Sequence, residues 1–276
     1  MLAAKIGMNS DHYPLVPPGT WCQTPPVLPS PGPVVGKGHD LTEAVLRPAR
    51  GYHAFEACVE QLATTIRLGV YPLGSTLPSE RDLAARLNVS RSTLREAMAA
   101  LREAGLVETR RGRGGGTVVT LKPRTPSARA AARLTEERRQ EWLDSLEFRR
   151  IVEPGAASLA AKADLDAESL AQLDEAHAAV AQARRPAQHR QADSRFHLTI
   201  AALTGSPRLV EAVTSVQATL HEMLLAIPVL DANIAHSDRQ HAALVRAIRR
   251  GNHDRARAVM EEHCDDTAAL LRGLLG

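Results

Sequence analysis

Rings and thiols are scarce in this sequence. Phe, Trp and Tyr make up 3% of its 276 residues, too few for the exposed stacking platforms on which single-strand nucleic-acid readers hold bases. The three cysteines, Cys22, Cys58 and Cys264, are far apart and odd in number. That excludes a disulfide framework and a cysteine-based zinc site, and it points to a cytoplasmic setting. No apolar run approaches the roughly 20 residues of a membrane span, and no basic segment followed by a continuous apolar one opens the chain. Neither a membrane anchor nor an export signal is expected. What is present in quantity is small and aliphatic: hydrophobic residues reach 44% with few aromatics, so Leu and Ala must fill the core. That favours helices, in a chain long enough for two modest domains and a tail.

Charge is unevenly spread. Residues 51–124 hold 11 Lys/Arg against 7 Asp/Glu, a net +4, whereas residues 125–276 hold 19 against 21, a net −2. A basic N-terminal half implies a polyanionic partner, and the rest of the chain has a different task. Residues 1–50, with the run VPPGTWCQTPPVLPSPGP, show no sustained periodicity and read as a flexible proline-rich leader. Met8 is an alternative start.

From His53 to Leu68, Phe55, Val59, Leu62 and Ile66 recur at helical spacing, and Gly69 supplies a stop. In LPSERDLAARL, Ser79 and Asp82 form the pattern of a capping box. Asn88 and Val89 make a turn, Ser90 caps again, and a longer helix runs to Ala104 before Gly105. Two capped helices across so short a turn predict a helix-turn-helix. LVETRRGRGGGTVVTL then predicts a hairpin, or wing, with a Gly/Arg-rich tip.

In such units the second helix presents its N-terminal residues to base edges in the major groove. Arg91 and Arg95, four apart, share one helical face and suit bidentate contacts to guanine. Ser90, Ser92 and Thr93 at the helix start are placed for phosphates, and Arg81 on the preceding helix can clamp the backbone or reach a base. At the wing tip, Arg113 could enter a narrow minor groove, with Gly114 and Gly115 allowing close approach. Arginines on one helix face are ordinarily a solvated surface. Here they coincide with caps, turn, wing and charge surplus, so double-stranded DNA is the expected partner.

The run IRLGVYPLGSTLPSERDLAARLNVSRSTLREAMAALREAGLVETRRGRGGGTVV resembles the winged helix-turn-helix of the GntR family of bacterial transcriptional regulators nearly end to end. The resemblance implies that Arg81, Arg91, Arg95 and the glycine-rich wing stand at DNA-contacting positions. The leader lies outside the motif.

Residues 122–135 read as a basic, proline-interrupted linker, separating a DNA-binding domain at 51–121 from an all-helical domain at 136–276. The expected helices are 136–162 with a break or kink at Pro154, 167–185 capped by Asp166, 188–203, 207–227, about 237–250, and 254–273. The fold class is therefore mainly α, a winged helix-turn-helix followed by a helical bundle.

Eight of the 11 histidines lie beyond residue 125. Asp193 and His197 are four apart on one helix, with His241 and His263 on two later ones. Bundled helices can converge such residues on a divalent ion, and three imidazoles with one carboxylate suit zinc, nickel, cobalt or iron(II) over magnesium or calcium. On spacing alone, scattered surface or core histidines are the stronger reading. However, LEFRRIVEPGAASLAA, DSRFHLTIAALTGSPRLVEAV and HAALVRAIRRGNHDRARAVMEEH resemble the FCD ligand-binding domain of the FadR subfamily. In metal-binding members an Asp, a His four later and one His on each of two later helices hold the ion, positions matched by Asp193, His197, His241 and His263.

By the same resemblance Arg149 stands near an effector pocket and can pair bidentately with a carboxylate. A salt bridge to Glu147 or Glu153, or an inward Arg150 instead, remains open from the residues themselves. His221 is a spare candidate for the pocket wall, and Cys264 reads as a small buried residue. The function implied is that of a homodimeric repressor, not an enzyme, with zinc the first choice of metal. Its binding to a near-palindromic operator would be set by a small organic or sugar acid. Two alternatives are a metalloenzyme fused to a DNA-binding module, against which no nucleophile and base pair is evident, and a regulator with a purely structural metal.

Overall fold

The computed structural model describes residues 41–46, 54–110, 112, 115–121, 135–227 and 230–275. It is mainly helical, as expected. α2 (Ala54–Arg67), α3 (Glu80–Leu87) and α4 (Arg91–Glu103) pack around Leu62, Ile66, Leu83, Leu87, Leu94, Met98 and Leu101. The strands β1 (Val107–Arg110) and β2 (Gly116–Val119) form the expected antiparallel wing, with Val107 paired to Val119 and Arg110 to Gly116. The segment before α3 joins its edge through a Thr76–Val118 bridge. Of the tip, Arg113 and Gly114 lie outside the described residues, as do most of the linker and residues 1–40.

The leader reading fails at its end. Residues Leu41–Val45 form a short helix, α1. Val45 is buried with Leu198, Val210 and Val213 of the C-terminal half, and the adjacent Leu46 is buried in the core of α2–α4. Arg86 of α3 donates to the Thr42 hydroxyl at 3.4 Å. A single helical turn is too short for periodicity to reveal, and its burial is decided by partners distant in sequence.

The C-terminal helices are α5 (Glu136–Lys162), α6 (Ala167–Gln182), α7 (Pro186–Leu203), α8 (Pro207–Ala226), α9 (Asp231–Arg249) and α10 (His253–Leu275). The expected cap holds, Ser169 N–H donating to the Asp166 carboxylate at 2.8 Å, and Ser206 caps the next-but-one helix by accepting from Leu209 N–H at 3.4 Å. α6 stops three residues early, and α9 starts six residues before the expected 237. No break occurs at Pro154, because α5 runs through it with Pro154 buried. A proline inside a helix costs about 3 kcal/mol. Here the residues on either side, Val152, Ala156, Ala157 and Ala160, are all buried in the packed core, which offsets that cost.

Candidate functional site

Two groups of residues could carry function, one on α4 and one inside the bundle. At α4 the local sequence sets the geometry. Ser79 accepts from Asp82 N–H at 3.2 Å, and its hydroxyl donates back to the Asp82 carboxylate at 2.7 Å. Those contacts hold the Asp82 carboxyl below its ordinary value, the Ser79 hydrogen bond first among the causes. Asn88, at φ 53°, makes the left-handed step that re-aims the chain, and Ser90 accepts from Thr93 N–H at 3.0 Å to begin α4. Left-handed backbone disfavours most side chains, and Asn tolerates it best after Gly.

With Leu94, Ala97, Met98 and Leu101 buried, the opposite face of α4 carries exposed Arg91, Ser92 and Arg95. Thr93 is half-buried. Arg81 is exposed on α3 beside Asp82, and Arg95 lies 3.5 Å from Glu80 across the turn. Both ion pairs are exposed and screened by solvent, so either arginine can leave its partner at little cost. Ser90 is occupied at the cap, with its hydroxyl also 2.7 Å from Ser92 Oγ and 2.8 Å from Thr93 Oγ1. In the wing, Gly115 donates to the Gly112 carbonyl at 2.8 Å.

Inside the bundle, α7, α9 and α10 bring His197, His241 and His263 together, all buried, with one ligand nitrogen from each within 4.8 Å of the others. Ring centroids lie 4.8–5.5 Å apart. The fourth expected residue, Asp193, stands beside this group, its Oδ1 3.4 Å from His241 Nε2.

A cation fits this environment. With His197 Nδ1 turned to Glu153 at 2.9 Å, Nε2 of His197 and Nδ1 of His241 are buried without a hydrogen bond among the described residues, each a deficit of about 1–3 kcal/mol unless a partner is supplied. Burial, with Asp193 only partly opposing it, pushes His241 down to about 3. Burial followed by the neighbouring imidazoles pushes His263 well below its ordinary value. Neutral imidazoles with free lone pairs are the ligand form.

Arg149, not Arg150, points inward. It is 1% exposed and donates from Nε to Glu153 at 3.0 Å, while its two terminal nitrogens are buried without partners among the described residues. Arg150 instead pairs at the surface with Asp265 and Glu261. Glu153 was missed as a site residue. It lies between Arg149 and His197, whose Nδ1 is 2.9 Å away, and accepts from Gln217 at 2.6 Å. Burial alone would raise its pKa, but Arg149 and then His197 hold it well below the carboxylate range.

Gln240 was missed too. Its side-chain oxygen is 3.1 Å from His263 Nδ1, while its amide donates to Asp266 at 2.7 Å. The only advance signal was for Glu153, four residues from Arg149. Burial drives the Cys264 thiol up to about 12.

A cavity of about 80 Å³ opens onto this group, lined by Arg149, Arg190, Asp193 and His263, with Leu220, Leu224 and Ile234 among its apolar walls. His221 is buried on α8 but is not among the lining residues.

The model of the bacterial regulatory proteins of the gntR family matches residues 55–119, and that of the FCD domain matches 144–266. An HTH-type transcriptional regulator, RmpR, of Mycobacterium gastri is 34% identical over 75% of this chain and 76% of its own. The chain belongs to the GntR family of bacterial transcriptional regulators. Other matches to this GntR regulator include the HTH-type transcriptional repressor NanR of Cronobacter sakazakii, 28% identical over 88% of this chain and 96% of that one. A solved structure, E. coli McbR/YncC, matches 81% of this chain and 99% of its own at 18% identity, with a TM-score of 0.49. The GntR regulator is thus a DNA-binding protein, and among its described residues no helix is long and apolar enough to cross a membrane.

Proposed function

We propose that this regulator is a repressor whose hold on its operator is set by a small carboxylate bound beside a divalent ion, zinc first among the candidates. The observation that carries this reading is the set of orphaned imidazole nitrogens on His197 and His241, packed against His263 and Asp193. Three nitrogens and a carboxylate are a zinc or nickel donor set, and a carboxylate effector would join it as a further donor, raising the ion above four-coordination. When bound, the ion would supply charge and a site for that further donor. The protein's own residues supply the rest. Glu153 faces His197 and fixes its ring, and the Arg149 guanidinium, anchored through Nε, leaves its two terminal nitrogens to receive an anion.

Charge supports an acidic effector. Arg149, Arg190, Glu153 and Asp193 sum to no net charge, and a divalent ion turns that into two positive charges, which a carboxylate partly neutralises in a low-dielectric pocket. The cavity is far below the roughly 300 Å³ of sites for drug-sized ligands, so a compact organic acid suits it better than a large sugar acid. The repressor assignment draws on the name of the NanR relative.

On the DNA side, Arg91 and Arg95 read base edges in the major groove. Arg81, Ser90, Ser92 and Thr93 hold phosphates, and Arg113, Gly114 and Gly115 approach the minor groove. Two copies of the chain span a near-palindromic site. The domain limits 51–121, 122–135 and 136–276 belong to this proposal.

The test is elemental analysis of the purified protein together with fluorescence anisotropy on genomic fragments, in the presence of organic acids. About one ion per chain and an acid-dependent change in affinity, lost in the His197→Ala/His241→Ala variant, are expected. An unchanged response in that variant removes the metal from the function.

A further inference from the structure

α7 has two opposed working faces. Asp193 and His197 lie on one of them, at the imidazole cluster. Gln191 lies about 200° around the helix from Asp193 and turns toward the DNA-binding half. Its side-chain amide donates to the carbonyl of Arg67 at 3.0 Å and to that of Ile66 at 3.5 Å. These belong to the last turn of α2, where carbonyls have no partner within the helix. α2 in turn packs on α4, which carries Arg91 and Arg95.

The approach is close enough to require a glycine. Gly69 ends α2 at φ 74°, and a Cβ there would stand 2.9 Å from Gln191 Cβ. Just beyond it, Leu68 and Val70 are buried with Leu198, Ala201 and Ala202 of the same α7.

We infer that α7 is the coupling element of this regulator and that Gln191 is its positioning residue. Load taken up by Asp193 and His197 at the ion is passed through one rigid helix to the end of α2, and so to the recognition helix. This rests on the metal reading above. Coupling needs an element that both sites can bias, and α7 contributes two residues of the candidate metal set while clasping α2 from behind.

The test uses the full chain and zinc alone as probe. Uptake is measured by calorimetry, and amide hydrogen exchange is followed over residues 64–71. The reporters are the N–H groups of Leu68, Gly69 and Val70, bonded to the carbonyls of Thr64, Ile66 and Thr65. In the parent, zinc should slow their exchange by about threefold or more. In Gln191→Leu, which keeps the volume and loses the donor, zinc uptake should stay within about twofold of the parent and the slowing should vanish. Gln191→Glu, which turns a carboxylate toward the two carbonyls, should behave alike.

Zinc uptake by the parent with no change at 64–71 overturns the coupling, whether or not the variants fold. An undiminished response in either variant overturns the role of Gln191. A parent that takes up no zinc overturns the metal reading, and this inference falls with it.

Discussion

His263 Nδ1 lies 3.1 Å from the side-chain oxygen of Gln240, whose amide nitrogen is committed to Asp266 at 2.7 Å. The second contact orients the first. With its N–H groups toward Asp266, Gln240 can offer His263 only an acceptor, so Nδ1 carries the proton and Nε2 keeps the lone pair for an ion. Loss of such supporting partners typically weakens metal binding by about 10–100-fold. Gln240→Leu should therefore lower zinc affinity by that range, read by competition with a chromogenic chelator, while α9 and α10 stay folded. Unchanged affinity would remove Gln240 from the metal's support.

Arg91 and Arg95 project from the exposed face of α4, Arg95 in a solvent-exposed pair with Glu80, so Arg91→Ala and Arg95→Ala should shift the melting temperature little. Each good bidentate contact to a base is worth about 1–3 kcal/mol of discrimination, about tenfold to hundredfold in operator affinity. Anisotropy on a selected operator should show that loss for each variant, with relaxed preference at the base concerned. A uniform loss across all sequences would instead mark a phosphate contact.

The helix-turn-helix was legible because its determinants are local. Ser79, Asp82, Asn88, Ser90 and Gly105 act within a few residues of themselves, and each cap falls where the sequence places it. The imidazole cluster was legible only by resemblance, since helical spacing aligns Asp193 with His197 but says nothing of where α9 and α10 cross α7. Glu153, Gln217 and Gln240 escaped because a polar residue on an Ala-rich helix has no periodic signature. Only packing shows that they are buried. The same holds for α1, where Val45 and Leu46 derive their meaning from two different cores.

Acid should destabilise the metal-free protein earlier than carboxylates alone would require. In the unfolded chain each imidazole takes up a proton below about pH 6.5. In the fold, burial holds His241 unprotonated down to about 3 and pushes His263 in the same direction. Below pH 6.5 the unfolded state therefore binds more protons. Stability is fully present above that pH and is lost as pH falls toward the folded values, by about 1.4 kcal/mol per pH unit for each group. Urea unfolding of chelator-treated protein between about pH 7.5 and pH 5 should show this decline beginning near pH 6.5. A flat profile across that window would mean that the histidines titrate normally in the fold.

Arg149 and Glu153, on successive turns of α5, are 1% and 2% exposed. Removing one partner strands the other charge away from water, at a cost of about 3–5 kcal/mol, whereas replacing both is far milder. Arg149→Met should therefore unfold at clearly lower denaturant concentration than the parent, and Arg149→Met/Glu153→Gln should recover much of the loss. The double variant also separates support from recognition. If the terminal nitrogens of Arg149 receive an effector carboxylate, the folded double variant should still take up zinc but lose its thermal shift with organic acids. A retained shift would confine Arg149 to neutralising Glu153 and would place the carboxylate on the metal alone.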